Sequence, residues 1–127
     1  MDYAIRERDA DFLLKEVFDV QSSWAEIDEF SHLTPDLVGA IIAEGGRVAA
    51  EVMAPLNELG DEHGCQWHDG EVTTPPGFKE AFSQMTAGGW LGVSGNPAFG
   101  GQGLPKSIAG LVEEMFWAAN TSLYLYG

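Results

Sequence analysis

The stretch LTPDLVGAIIAEGGRVAAEVMAPLNELG, residues 33 to 60, limits the possible folds more than any other part of the chain. Thr34 offers a capping hydroxyl, and Pro35 stands where a first helical residue has no hydrogen bond to lose. Asp36 meets the positive end of the helix dipole. Leu37, Val38, Ile41, Ile42, Gly45, Val48, Ala49, Val52 and Met53 then recur at helical period over about five turns, with Glu44, Arg47 and Glu51 opposite. Such a stripe must be buried against other helices. Gly45 and Gly46 each cost a helix about 1 kcal/mol relative to alanine, so they are expected to admit the close approach of another helix. Pro55 cannot continue the ladder, which predicts a kink or restart there and an end near Gly60.

Weaker signals flank this helix. Asp9 is the expected cap of a helix over residues 9 to 20, with Phe12, Leu13, Glu16, Val17 and Val20 along one stripe. Ser22 or Ser23, followed by Glu26, opens a short helix that places Trp24, Ile27 and Phe30 together. Asp69-Gly70 between Trp67 and Val72 is a type I′ turn signal. Pro76 opens a helix with Phe78, Ala81, Phe82 and Met85 on one side and Gly88 as its stop. After a glycine-rich loop, Pro105 takes the first position of a last helix, with Ile108, Leu111, Val112, Met115 and Phe116 as its core stripe. No long alternation of period two and no internal repeat is present. The expected fold is all-α, a bundle of about five to six helices with a small irregular or hairpin segment near 65–75, in one domain over 1–127. The apolar ending SLYLYG suggests a fragment whose continuation covers those residues.

Charge narrows the partners. Twenty acidic residues against six basic ones give a formal net charge of −14, spread along the chain, and such a field repels nucleic-acid backbones and anionic lipid. The first residues, MDYAIRERDADF, lack the pattern of a signal peptide, and Cys65, the only cysteine, cannot form an internal disulfide. A cytoplasmic protein is expected. No apolar run approaches the roughly 18 residues of a membrane span.

Three constellations carry chemical possibilities. FGGQGLPKS, residues 99 to 107, matches the phosphate-binding form GxxxxGK[ST] from Gly100 except that Pro105 replaces the second glycine. A phosphate loop needs a preceding buried strand and free backbone N–H groups, and Pro105 removes a donor. The alternative is a structural turn in which Gly100, Gly101 and Gly103 take φ values that side chains forbid and Pro105 starts the helix. His63, Cys65 and His68 beside Asp61, Glu62 and Asp69 are ligand types for zinc, but the spacing His-x-Cys-x-x-His fits no common zinc module, and no metal is assigned. Glu113 and Glu114, as helix neighbours, point about 100° apart and do not make a proton-sharing pair. No residue here is assigned a catalytic role.

The segments APLNELGDEHGC, VTTPPGFKEAF, GGW, NPAFGGQGLP and EEMFWAANTSLYLYG together resemble the N-terminal domain of the acyl-CoA dehydrogenase family. FLLKEVFDV and the series PLN…GD…GC…TPPGFKEA are similar to the bacterial subgroup that includes 3-methylmercaptopropionyl-CoA dehydrogenase. The resemblance implies a helical domain followed by a β-domain and a second helical domain. It implies an FAD-dependent oxidation of acyl-CoA to enoyl-CoA, in which a carboxylate base takes the α-proton and the β-hydrogen passes as hydride to the flavin. The catalytic carboxylate and most flavin contacts would lie in the later domains, so this chain alone is expected to be inactive and to hold no cofactor. Its implied contribution is one wall of the acyl pocket, from Leu123, Tyr124, Tyr126 and Gly127. The implied partners are the acyl-CoA substrate and an electron acceptor, in an expected homo-oligomer. The alternative is a stand-alone helical interaction or dimerisation module that uses the apolar C-terminal residues.

Overall fold

A break in the central helix sets the arrangement of the elements around it. In a computed structural model, which describes residues 3–126, helix α3 (Pro35–Val48) begins as its sequence predicts. Thr34 is extended, and its hydroxyl accepts the Leu37 N–H at 3.2 Å, with Pro35 at the first turn. The helix then widens into a π turn over Ala49–Met53, where the Ala54 N–H reaches five residues back to the Ala49 carbonyl at 2.9 Å. The widening accommodates Pro55, which has no N–H and whose ring clashes with a regular helix. The coil resumes as α4 (Pro55–His63), longer than expected. Gly60 does not stop it. An added Cβ there would lie 2.7 Å from Cζ of Phe78, so this glycine admits an aromatic ring. The left-handed stop falls at Gly64, φ +58°.

The N-terminal helices depart from the expected stripe. Helix α1 (Glu7–Phe12) starts ahead of Asp9, which lies in its first turn 3.8 Å from Arg6, and a π turn over Leu13–Val17 follows. Ala10 and Leu14 are buried, whereas Phe12, Leu13 and Val17 are exposed. The π turn over Leu13–Val17 shifts the register of the expected stripe. Just ahead of α1, Ile5 rests on Gly46 of α3. Helix α2 (Val20–Ala25) also begins early, after a left-handed Asp19 (φ +42°) whose carboxylate accepts the Ser22 hydroxyl at 2.8 Å. Trp24 is buried and Phe30 half-buried, but the helix ends too soon to carry Ile27 inward.

Strands β1 (Gln66–His68) and β2 (Glu71–Thr73) form the expected hairpin, antiparallel with Trp67 opposite Val72. Asp69 and Gly70 both have positive φ, +48° and +85°, as a type I′ turn requires. Helix α5 (Phe78–Ala87) follows a left-handed Gly77 and buries Phe78, Ala81 and Met85. Helix α6 (Lys106–Ala119) packs along α3 and buries Ile108, Val112, Met115 and Phe116. At Gly45 a Cβ would meet both Val112 and the Trp90 ring at 3.3 Å, so this glycine sets the approach of α6. Gly46 serves Ile5, which is not helical. The result is a mostly helical bundle with one small hairpin.

Two glycine substitutions should therefore act in opposite directions. Gly60→Ala pushes a methyl into the buried Phe78 ring and should lower stability by about 1–3 kcal/mol. Gly39→Ala, with nothing within 4 Å of the added carbon, should raise it by about 0.5–1 kcal/mol. Chemical denaturation of the purified variants measures both.

Candidate functional site

The candidate site lies at the far end of α6, and the glycine loop sets the direction of that helix. The loop closes on itself through backbone hydrogen bonds: Gln102 N–H to Gly92 at 2.8 Å, Gly103 N–H to Gly95 at 2.9 Å, and Leu104 N–H to Val93 at 3.0 Å. The Gly101 N–H goes to Asn96 at 3.1 Å. With these four donors engaged, the loop offers no phosphate cradle, and among the described residues no buried strand leads into it: β1 and β2 are exposed and helix α5 lies between them and the loop. Gly100 and Gly103 are left-handed, at φ +88° and +66°, as expected. Gly101 is not; it is needed because a Cβ there would overlap the Gly95 backbone. Pro105 immediately precedes α6, and its carbonyl accepts the Ile108 and Ala109 N–H groups at 3.0 and 3.1 Å.

The last helix does not run on into the apolar tail. Asn120 is extended (φ −161°, ψ 90°), ends α6 and caps a short helix α7 (Thr121–Tyr124). Its side chain is almost wholly buried, at 1% exposure, and both its oxygen and its nitrogen are hydrogen-bonded. Oδ1 accepts the Leu123 N–H and the Ser122 hydroxyl, both at 3.0 Å, while Nδ2 donates to the Met53 carbonyl at 3.1 Å. Met53 belongs to the π turn of the central helix, where the Asn57 N–H is given to Ala54 at 3.1 Å. The proline break thus turns a carbonyl toward a side chain 67 residues later. Sequence reasoning missed Asn120 as a site-organising residue. An asparagine directly before a short Thr-Ser-Leu run was a readable cap signal; its bond to Met53 had no sequence signal.

The residues implied as an acyl wall take different positions around this cap. Leu123 is buried in the core. Tyr124 is half-buried and stands edge-on to Phe116 and Trp117, ring centroids 5.5 and 5.0 Å away. Tyr126 is exposed, with its hydroxyl 3.4 Å from Cys65 Sγ at the base of the hairpin. Gly127 lies outside the described residues. Beside α7 runs an open groove of about 810 Å³. Ala54, Pro55 and Gly60 line its α4 side, and Ala118, Thr121 and Leu125 its α6–α7 side.

The remaining candidates stay on the surface. His68 pairs only with Asp69, at 3.3 Å, and among the described residues no three His, Cys, Asp or Glu side chains converge as a metal set. Glu113 and Glu114 are both exposed on α6. Each biases a tyrosine. Burial and then Glu114 push the Tyr3 phenol up, and burial and then Glu113 do the same to Tyr124. The hydrogen bond with Cys65 raises Tyr126.

No protein-family model matches the chain. Over 128 residues, 98% of the chain, it is 31% identical to 3-methylmercaptopropionyl-CoA dehydrogenase of Ruegeria pomeroyi. Over 126 residues it is 29% identical to the broad-specificity linear acyl-CoA dehydrogenase FadE5 of Mycobacterium tuberculosis. The chain spans about a fifth of the length of these relatives, 21% and 20%.

The raised tyrosines carry a pH dependence of definite sign. A phenol whose folded pKa lies above its unfolded value binds more protons when folded, so its stabilisation is complete below the unfolded value and is lost as pH rises through the folded one. The melting temperature should therefore fall as pH climbs past the ordinary tyrosine range near about 10. Tyr3→Phe and Tyr124→Phe should each flatten that fall in thermal melts taken across alkaline pH.

Proposed function

We propose, starting from a chain that fits an acyl-CoA dehydrogenase domain resembling 3-methylmercaptopropionyl-CoA dehydrogenase, that it is the N-terminal helical domain of a longer flavin-dependent acyl-CoA dehydrogenase. The observation that carries this reading is the likeness to two acyl-CoA dehydrogenases over 98% of the chain. The domain contributes one wall of the acyl pocket through Leu123, Tyr124, Tyr126 and Gly127. Tyr124 supplies an aromatic face braced by Phe116 and Trp117, and Leu123 backs it from the core. A dry, rigid wall suits the chemistry, because excluding water strengthens every interaction with the polarised thioester.

The glycine loop is the part of this chain whose composition most resembles a diphosphate cradle for FAD. The loop does not fit: the Gly101, Gln102, Gly103 and Leu104 amides are engaged with backbone carbonyls, and Lys106 is its sole cation. In this reading, as the family resemblance implies, FAD and the catalytic carboxylate belong to the remainder of the longer protein, and this chain by itself is inactive. The protein works in the cytoplasm, as a homo-oligomer, with acyl-CoA and an electron acceptor as its partners. A second reading draws on the exposed Trp117, Leu125 and Tyr126, which would serve a stand-alone interaction module equally well as an interdomain contact.

The test is purification of the full-length protein and of residues 1–127 separately. Flavin absorbance and oxidation of acyl-CoA thioesters with an artificial acceptor are expected in the first only. A reading frame that stops after Gly127, or a yellow preparation of the short chain, would sink the proposal. In the full-length protein Tyr124→Ala should lower kcat/KM for the preferred acyl-CoA about tenfold, the scale of a lost apolar pocket contact. Steady-state kinetics across acyl-chain lengths measures it.

A further inference from the structure

The geometry points to Asn120 as a positioning residue for the acyl wall, a role that rests on the reading just given. Three observations converge on it. It is the only buried polar or charged residue among the described residues, so its amide has no water to replace a lost partner. Its two ends serve different elements: Oδ1 holds the first turn of α7 through the Leu123 N–H, and Nδ2 holds the Met53 carbonyl in the π turn. Between them the chain changes direction, since Asn120 is the extended residue where α6 stops and α7 starts.

The Asn120 tie fixes the angle at which α7 leaves α6, and with it the direction of Tyr124 and the residues after it. Burial of Leu123 and the edge-on packing of Tyr124 against Phe116 and Trp117 hold α7 to the core. The bond to Met53 adds a direct tie from the cap to a carbonyl of the π turn in the central helix. Alpha-helical period could not supply this carbonyl, because a regular helix gives its carbonyls to its own N–H groups. Pro55, the π turn and Asn120 therefore act together to set the shape of the pocket wall.

Two variants separate the tie from the cap in the full-length protein. Asn120→Ser keeps an acceptor for the Leu123 N–H but is too short to reach Met53. Asn120→Asp keeps the cap and turns an oxygen toward the Met53 carbonyl. Thr34→Ala, which weakens the far end of the same central helix, controls for lost stability. Both Asn120 variants should speed hydrogen exchange at the Leu123 and Tyr124 amides about tenfold over wild type, the scale of one net hydrogen bond. They should raise KM for long-chain acyl-CoA about tenfold while kcat for short-chain thioesters stays within about twofold, and Thr34→Ala should do neither. If either folded variant exchanges like wild type, or if exchange quickens while the chain-length profile is unchanged, Asn120 does not position the wall. A wild-type protein that oxidises no acyl-CoA would instead overturn the underlying functional reading, and the positioning role with it.

Discussion

One buried amide, Asn120, ties together two backbone defects in helices that already pack along each other. The central helix α3–α4 carries a proline that a regular helix rejects, and the π turn over Ala49–Met53 accommodates it. The last two helices meet at an extended residue that a continuous helix would not contain. Each defect exposes backbone polar groups that cannot stay unpaired in a core, and Asn120 partners both at 3.0–3.1 Å. Replacing it by an apolar side chain would strand a carbonyl and an amide at once.

Around this joint, the packing is governed by where backbone or ring can come close. Gly45 receives Val112 and Trp90, Gly46 receives Ile5, and Gly60 receives Phe78, so the central helix accepts a helix, a non-helical segment and a ring at three glycines. The loop before α6 obeys a related rule. Gly101 lies against Gly95 backbone to backbone, and the resulting closed loop aims α6 along α3 toward Asn120. The charge excess stays on the periphery, as in the Glu44–Arg47–Glu51 cluster, where solvent limits its contribution. There the hydrogen bonds between the guanidinium and the carboxylates, and then their opposite charges, lower the Glu44 pKa and raise that of Arg47.

The sequence by itself determined the features that depend on nearby residues. Thr34, Pro35 and Asp36 specify a helix start because a cap and a dipole act within one turn, and Asp69-Gly70 specifies a hairpin because two positive φ values define its turn. The helical class, the stripes of α5 and α6, and the replacement of a phosphate loop by a structural turn were legible for the same reason. The likeness of several segments to acyl-CoA dehydrogenases was legible too, because that resemblance is carried by residue identity.

Only the tertiary structure decided what depends on contact across the chain. It turned Ala10 and Leu14 inward in place of Phe12, Leu13 and Val17, in a segment whose π turn breaks the regular helical period. It made Gly60 a contact for Phe78 instead of a helix stop, and it gave Gly101 a steric role without a left-handed φ. Above all it paired Asn120 with Met53, 67 residues apart. Periodicity describes a helix as though every carbonyl were satisfied within it; a proline-induced π turn releases one, and only the folded chain brings it a partner.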